Sequence, residues 1–196
     1  MLRRDFLKGL GLLSAMLLTG CGSLAAGEEK NVKQASTDAG SGKAAGKMLI
    51  AYYSLTGTTR AAAKKIQSLT GADIFEIPAA DPYPTAHDPC LERQMKEIAA
   101  DARPALARKV ENIASYDTIF IGYPIWYYQA PMLLNTFVEQ QDLFQKTIMP
   151  FCTSGGYGIE RSVDILRALM PNAYWKDGLR VAGDDKELRD WLRQLG

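Results

Sequence analysis

From residue 48 onward, five short runs of apolar residues recur along the chain, each bounded by polar residues, glycine or proline. Such runs are typical of strands in a parallel sheet that is covered on both faces, because both sides of each strand are then buried. The last run contains more polar residues than the others. We therefore predict five strands, at residues 48–53, 73–77, 118–122, 147–152 and, most weakly, around 173–182.

The stretches between these runs place apolar residues three and four positions apart, which is the spacing of an amphipathic helix. We predict helices at 61–69, at 91–102, in a short stretch ending near Ala114, after Pro131, at 159–170, and from a cap at Asp185 to the end, with residues 78–90 irregular. Strands that alternate with helices indicate an α/β fold with a doubly wound parallel sheet between two helical layers.

Ligands of a doubly wound sheet bind beyond the carboxyl ends of its strands. The loops at that edge that matter most follow the first, third and fourth predicted strands, at residues 54–59, 123–130 and 153–158. All three have unusual compositions, so we expect them to form one ligand site.

The first loop reads SLTGTT and carries four hydroxyl groups and one glycine between a strand and a helix. The N–H groups and dipole of a helix start attract an anion, and hydroxyl groups add donors without adding charge. The loop has neither the lysine of a Walker A motif nor a GxGxxG pattern, which favours a single terminal phosphate over a triphosphate or a dinucleotide. A hydroxyl-rich turn without a ligand is the alternative.

The second loop region, YPIWYYQAP at 123–131, holds four aromatic residues, of which Trp126 and a neighbouring tyrosine would stack on a flat aromatic ligand. The third loop, TSGGYG at 153–158, has three glycines that let its backbone approach a ligand closely. The alternative for the second loop is an aromatic cluster that covers the sheet edge or forms an interface with a partner. The alternative for the third loop is an ordinary turn.

The ordered segments YYSLTGTT, PYP at 82–84, YDTIFIGYPIWYYQAP and PFCTSGGYG resemble the flavodoxin-like family of FMN-binding domains over about residues 48–182. The resemblance implies a flavodoxin-like three-layer sandwich, with a five-stranded parallel sheet in the order 2-1-3-4-5, and non-covalent FMN. It also implies a phosphate site at Ser54, Thr56, Gly57, Thr58 and Thr59, a flavin-ring wall at Pro124, Ile125, Trp126 and Tyr127, and contacts to the polar edge of the ring from Thr153, Ser154, Gly155, Gly156 and Tyr157.

On this resemblance we expect an FMN-dependent oxidoreductase or electron-transfer protein that passes electrons to a quinone-like or protein acceptor. The sequence has no Ser–His–acid set or paired carboxylates that would suggest hydrolysis, so no catalytic side chain is assigned. The alternative is a non-redox lipoprotein module for binding or scaffolding that keeps the flavodoxin shape. Uptake of FMN by the purified protein separates the two.

Charge adds little to this assignment. The chain carries 23 Lys and Arg against 22 Asp and Glu, which gives no basic surface for nucleic acid. Residues 48–196 alone hold sixteen against eighteen, a net charge of about −2 that steers a charged redox partner only weakly. The single histidine, His87, and the three cysteines lack metal-ligand spacing. We expect His87 to be an exposed loop residue, and Cys90 and Cys152 to be free, buried thiols.

The first residues of the chain read as an export signal. Residues 1–20 combine charged residues, including Arg3-Arg4, with an apolar run of signal-peptide length. The Arg pair resembles a twin-arginine signal, and Leu18–Cys21 resembles a bacterial lipobox that would make Cys21 the lipidated N-terminus. Residues 22–47 are too polar and small to form a core, so we predict that 21–47 are a lipidated Cys and flexible tether, and 48–196 the folded domain.

This interpretation predicts an exported lipoprotein, anchored to a membrane on its periplasmic or cell-surface side, because two acyl chains anchor a protein stably. The alternative is a frayed helix with a chance pair of arginines.

Overall fold

The computed structural model describes residues 46–196, in which strands alternate with helices. The strands are β1 (Met48–Tyr52), β2 (Asp73–Glu76), β3 (Thr118–Pro124), β4 (Thr147–Thr153), β5 (Tyr174–Trp175) and β6 (Leu179–Arg180). The α-helices are α1 (Thr58–Thr70), α2 (His87–Ala99), α3 (Met132–Gln140), α4 (Glu160–Leu169) and α5 (Asp185–Leu192), and short 3-10 turns lie at Ile113–Ser115 and Arg193–Leu195.

The strands form one parallel sheet in the order β2-β1-β3-β4-β5, with β6 also paired to β4. This confirms the predicted α/β fold and the order 2-1-3-4-5. β3 and β4 lie at the centre and are the longest strands, with most of their side chains buried. Central strands of this kind read as continuous apolar runs because helices cover both faces of the sheet.

Each face of the sheet has its own hydrophobic core. On one face, Ile121 of β3 packs with Phe137 of α3 and Leu166 of α4. On the other face, Phe120 of β3 packs with residues of α1 and with Trp191 of α5. Neighbouring residues of one strand therefore enter opposite cores, as the pleat of a strand requires, and the molecule has three layers.

Gly122 lies in β3, opposite Phe151 of β4. A Cβ atom at Gly122 would overlap the ring of Phe151, which is fully buried. The ring therefore lies over the backbone of β3 at this position, and only glycine leaves room for it.

The predicted fifth strand, around 173–182, is divided into two short strands in the structure. Between them, Asp177 turns its backbone towards the C-terminal helical segment: its N–H donates to the Gln194 side chain at 3.1 Å, and its carbonyl accepts from the Trp191 indole at 2.7 Å. Those backbone groups are therefore not available to β4. Both pieces still pair in parallel with β4.

Several predicted helix starts differ from the structure, and the helix predicted from Ala61 begins at Thr58, directly after Gly57. The helix predicted at 91–102 runs from His87 to Ala99. It can begin before Pro89 because this proline falls in the first turn, where a missing N–H costs no hydrogen bond. The last helix is capped by Asp184, whose side chain accepts from the Lys186 N–H at 2.7 Å, and not by Asp185 as predicted.

The predicted short helix ending near Ala114 is wrong for the described residues, where only the 3-10 turn at Ile113–Ser115 forms. The preceding backbone pairs with a distant segment instead. The Ala80 N–H donates to the Ala105 carbonyl at 2.8 Å and the Ala107 N–H donates to the Pro78 carbonyl at 2.9 Å. Tertiary pairing thus replaces local helical hydrogen bonds.

No helix within residues 46–196 is both long enough and apolar enough to cross a bilayer. The predicted signal peptide at 1–20, Cys21, and the tether as far as residue 45 lie outside the described residues.

Candidate functional site

The three predicted loops meet beyond the carboxyl ends of β1, β3 and β4, where they border two adjoining cavities of about 660 and 440 Å³. Volumes of this size are typical of small-molecule sites. We call the larger the hydroxyl cavity, after Thr56, Thr58, Thr59, Thr153 and Ser154 in its wall. We call the smaller the aromatic cavity, after Trp126, Tyr127, Tyr128 and Tyr157. Leu55, Thr56, Ile125 and Trp126 line both.

The first loop leaves the start of α1 open. Gly57 precedes the helix with a left-handed φ of 93°, which glycine adopts without steric cost. Its N–H donates to the Ser54 hydroxyl at 3.1 Å, so Ser54 braces the loop and no side chain caps the helix. The N–H groups of the first turn of α1 therefore remain available to a ligand, together with the positive end of the helix dipole.

A buried pair of hydroxyl groups ties the first loop region to the third. The Oγ1 atoms of Thr59, in the first turn of α1, and Thr153, at the end of β4, lie 2.8 Å apart. Both residues are buried. Nearer the surface, the hydroxyl groups of Thr56 and Thr58 are 3.2 Å apart and exposed, where they can turn towards an anion.

Positive charge contributes little to the hydroxyl cavity. Lys65 is the only charged residue in its described lining, and its ammonium pairs with Asp185. The Arg60 guanidinium, in the first turn of α1, is held by Glu76, with Nη2 at 2.5 Å from Oε1 and Nε at 3.1 Å from Oε2. This pairing raises the pKa of Arg60. A phosphate here would rest chiefly on N–H and hydroxyl donors, as the sequence predicts.

The second loop makes a tight turn. Trp126 and Gln129 exchange backbone hydrogen bonds of 2.8 and 3.2 Å, which leaves Tyr127 and Tyr128 at the tip. Their φ values are 46° and 70°, in the left-handed region that side chains other than glycine rarely occupy. Their side chains remain 45% and 49% exposed. Strain of this kind concentrates at binding sites.

Trp126 is supported from behind by two buried tyrosines. Its ring centroid lies 5.6 Å from that of Tyr53 and 5.2 Å from that of Tyr83, both edge-on. Tyr83 donates to Glu97 at 2.7 Å, and the Arg93 guanidinium lies 4.0 Å from its ring centroid. Burial raises the pKa of the Tyr53 and Tyr83 hydroxyl groups, so both stay neutral. The indole is therefore a fixed wall between the two cavities.

The third loop is ordered by its own serine. Ser154 Oγ accepts from the N–H groups of Gly156 at 3.1 Å and Tyr157 at 2.7 Å. The Ile125 N–H donates to the Thr153 carbonyl at 2.9 Å and joins the second loop to the third. A Cβ atom at Gly155 would meet no atom within 4 Å, so the loop leaves open space beside the hydroxyl cavity.

Most of the predicted site residues border this space. The hydroxyl cavity contains Thr56, Thr58, Thr59, Pro124, Ile125, Trp126, Thr153, Ser154 and Gly155, and the aromatic cavity adds Tyr127 and Tyr157. The remaining three, Ser54, Gly57 and Gly156, line neither cavity and act within their loops.

Two further segments complete the walls and were not predicted. Residues 181–183, after β6, border the hydroxyl cavity together with Lys65. Residues near the start of α2, among them Leu91, border the aromatic cavity, as does Tyr128. The loop after β6 could have been inferred, because it follows the last strand at the carboxyl edge of the sheet.

His87 is exposed, as predicted, but it is the first residue of α2 and not a loop residue. Its Nδ1 atom lies 2.7 Å from the Asp88 carboxylate, and it borders the aromatic cavity. Cys90 and Cys152 are buried and free, which confirms that prediction. Burial raises the pKa of the Cys90 thiol and raises that of Cys152 to about 12, so both remain protonated at neutral pH.

The residues present fit FMN, the cofactor expected from the resemblance. The uncapped start of α1 and the threonine hydroxyl groups suit its phosphate. Trp126 and Ile125 form an apolar wall suited to a flat ring system. Gly155 borders the hydroxyl cavity, and its missing side chain leaves that part of the wall open. Among residues 46–196, no group of three or more His, Cys, Asp or Glu is placed to hold a metal ion.

Comparison with known proteins agrees with this geometry. A family model described as flavodoxin matches residues 47–195. A structure described as a flavoprotein, from Bacteroides eggerthii DSM 20697, is 40% identical, with 76% of this chain and 97% of that chain covered and a TM-score of 0.68. Another, from Bacteroides uniformis ATCC 8492, is 36% identical, with 76% and 98% covered and a TM-score of 0.70.

A flavoprotein in complex with FMN, from Lactobacillus acidophilus NCFM, shares the fold at 23% identity, with 76% of this chain and 99% of that chain covered and a TM-score of 0.66. No curated protein matches the chain. The family match and the shared fold support FMN as the cofactor. With a family match over nearly all of the described residues, the chain belongs to the flavodoxin family.

Proposed function

We propose that this flavodoxin binds FMN non-covalently and transfers electrons to a quinone-like or protein acceptor. The observation that carries the proposal is the uncapped, hydroxyl-rich start of α1, which opens into a cavity also bordered by Trp126. When bound, FMN supplies the electron-transfer chemistry, and the protein supplies binding, orientation and electrostatics.

The first task of the chain is to hold the phosphate end without a strong local cation. The free N–H groups at the start of α1 would donate to the phosphate oxygens, and the hydroxyl groups of Thr56 and Thr58 would add donors. The Thr59–Thr153 pair keeps this donor set at a fixed distance from the end of β4. The phosphate site is thus organised before a ligand arrives, which reduces the ordering cost of binding.

The second task is to orient the ring and limit its contact with water. Trp126 is held in place by Tyr53 and Tyr83, and Ile125 is held through its backbone bond to Thr153. The nearby buried tyrosines stay neutral because burial raises their pKa. The described wall of the ring site therefore adds no charge, and the backbone groups of the loops supply its polarity.

The direct test is cofactor content. The purified full chain should be yellow, with close to one FMN per chain, and the apoprotein should recover one equivalent when FMN is added. Riboflavin, which lacks the phosphate, should bind more weakly because the start of α1 then has no anion to bind. A colourless protein that takes up no added FMN would contradict the proposal.

We further propose that the protein is an exported, membrane-anchored lipoprotein, on the basis of the twin-arginine-like and lipobox-like segments of residues 1–21. Replacing Cys21 by alanine should release the protein from the membrane fraction, because the anchoring acyl chains would be lost. Fractionation of cells that produce the full chain measures this, with Cys90→Ala as the cysteine control. Membrane association that persists in the Cys21 variant would exclude the lipid anchor.

A further inference from the structure

Among residues 46–196, the two most exposed large hydrophobic side chains lie at the end of the sheet opposite to both cavities. Tyr174 is 59% exposed and begins β5, and Phe144 is 57% exposed and precedes β4. Two backbone hydrogen bonds join their segments. The Tyr174 N–H donates to the Lys146 carbonyl at 2.8 Å, and a second bond of 3.0 Å runs from the Gln145 N–H to the Asn172 carbonyl. The two rings, which we call the aromatic pair, therefore stand on neighbouring segments.

The backbone fixes this exposure. Leu143, next to Phe144, is fully buried, and its carbonyl accepts from the Lys146 N–H at 3.1 Å. Tyr174 follows the buried Ala173 and precedes Trp175, which packs against the core. Both exposed rings are thus carried by segments whose neighbouring side chains are anchored inside the domain. Adjacent exposed apolar groups on a fixed backbone indicate an interaction surface.

The row of residues that contains Tyr174 also contains the entry of the chain into the sheet. Met48 of β1 pairs with Thr118 of β3. Thr147 of β4 pairs with Thr118 on one side and with Tyr174 of β5 on the other. Three steps between strands put Met48 and Tyr174 about 15 Å apart. The segment that leads back to Cys21 therefore joins the domain at the edge that carries the aromatic pair.

The chemistry of the aromatic pair suits the headgroup region of a bilayer. Tyrosine joins an apolar ring to a hydroxyl group, and such side chains concentrate at membrane interfaces. The charged residues nearest to Phe144 along the chain, Asp142 and Lys146, have opposite signs. The Lys146 ammonium already donates to the Tyr116 carbonyl at 2.6 Å. Contact with lipid at this edge would therefore depend on the rings, and not on anionic headgroups.

We infer that the aromatic pair rests on the lipid surface to which the chain is anchored. This inference rests on the proposed lipid anchor at Cys21, and not on the proposed chemistry of FMN. The anchor joins lipid and domain through residues 22–46, which keeps the aromatic pair at a high effective concentration beside the bilayer. A weak contact is then sufficient to orient the domain, with both cavities on the side away from the lipid.

The test is site-directed spin labelling of the full chain, lipidated at Cys21 and reconstituted in phosphatidylcholine vesicles. One label is placed at Asn172→Cys, beside the aromatic pair, and another at Arg161→Cys, an exposed position at the start of α4. Cys90 and Cys152 are buried, and burial raises the pKa of both thiols, so the reagent labels the introduced cysteine. Paramagnetic resonance measures the accessibility of each label to lipid-soluble oxygen and to a water-soluble nickel chelate.

At residue 172, the ratio of oxygen to nickel accessibility should rise at least about threefold on vesicles relative to the unanchored Cys21→Ser chain, because the label then lies at the lipid surface. The ratio at residue 161 should stay unchanged. Phe144→Ser combined with Tyr174→Ser should abolish the rise at residue 172. Met95→Ser is the control, since Met95 is an exposed apolar residue of α2, and it should preserve the rise.

Equal ratios for the two labels on vesicles, or a rise at residue 172 that survives both serine substitutions, would overturn the inference. Reduced accessibility of residue 172 to both reagents would also overturn it, because a protein surface such as a second copy would then cover the aromatic pair. Mass spectrometry separates these results from failure of the proposed anchor. A wild-type chain without acyl groups removes the anchor and the inference with it, whereas a lipidated chain without the rise refutes the inference alone.

Discussion

Replacing Trp126 by alanine is expected to weaken FMN binding about 100-fold, a loss of roughly 2.7 kcal/mol. The indole borders both cavities and is fixed by Tyr53 and Tyr83, so its removal takes away the apolar wall and leaves a gap beside the ring site. Titration of the apoprotein with FMN, followed by the quenching of flavin fluorescence, measures the change.

Trp175→Ala is the matched control. Trp175 is also a half-buried tryptophan packed against the core, but it borders neither cavity. We expect this variant to be less stable than the wild type and to bind FMN with unchanged affinity. A similar loss of affinity in both variants would mean that the Trp126 effect reflects general destabilisation, and that the indole does not support the ring.

Replacing Gly122 by alanine is expected to lower the free energy of unfolding by about 3 kcal/mol. The added methyl group would overlap the Phe151 ring, and that ring is fully buried beside Trp191. Cores are packed densely, so the ring has little space into which it can move. Urea denaturation followed by circular dichroism measures the loss.

Gly155→Ala should change stability by less than about 0.5 kcal/mol, because a Cβ atom there meets no neighbour within 4 Å. Phe151→Leu should recover part of the loss when combined with Gly122→Ala, since the two sites are in contact and their effects are not additive. If Gly122→Ala were as stable as the wild type, the close approach of the ring to β3 would be wrong.

The sheet could be predicted from the sequence because its signals are local. The apolar runs at the centre of the sheet, such as Thr118–Gly122, are buried on both faces and leave little ambiguity. The places where the structure differs from the prediction depend on distant partners: the backbone of Asp177 bonds to the C-terminal helical segment and divides the fifth strand, and Ala105 pairs with Ala80 where a short helix was predicted. Propensity alone does not contain such tertiary contacts.

The same distinction applies to the candidate site. Hydroxyl groups and aromatic rings that follow strands were identified because a parallel sheet brings the carboxyl ends of its strands together. The contributions of Leu91 and Lys65 come from within helices, whose position over the site depends on packing. The role of Ser54 could not be predicted either, because the sequence does not show that its hydroxyl accepts a hydrogen bond from the Gly57 N–H.

The position of Met48, the first residue of β1, has a consequence for orientation. In a parallel sheet, the amino end of β1 lies at the pole opposite to the carboxyl ends of the strands, and both cavities open at the carboxyl ends. Whatever precedes residue 46 is therefore joined to the domain on its far side. If Cys21 carries the proposed lipid anchor, the anchored segment enters the domain at that pole, and the point of attachment itself lies away from the mouth of both cavities.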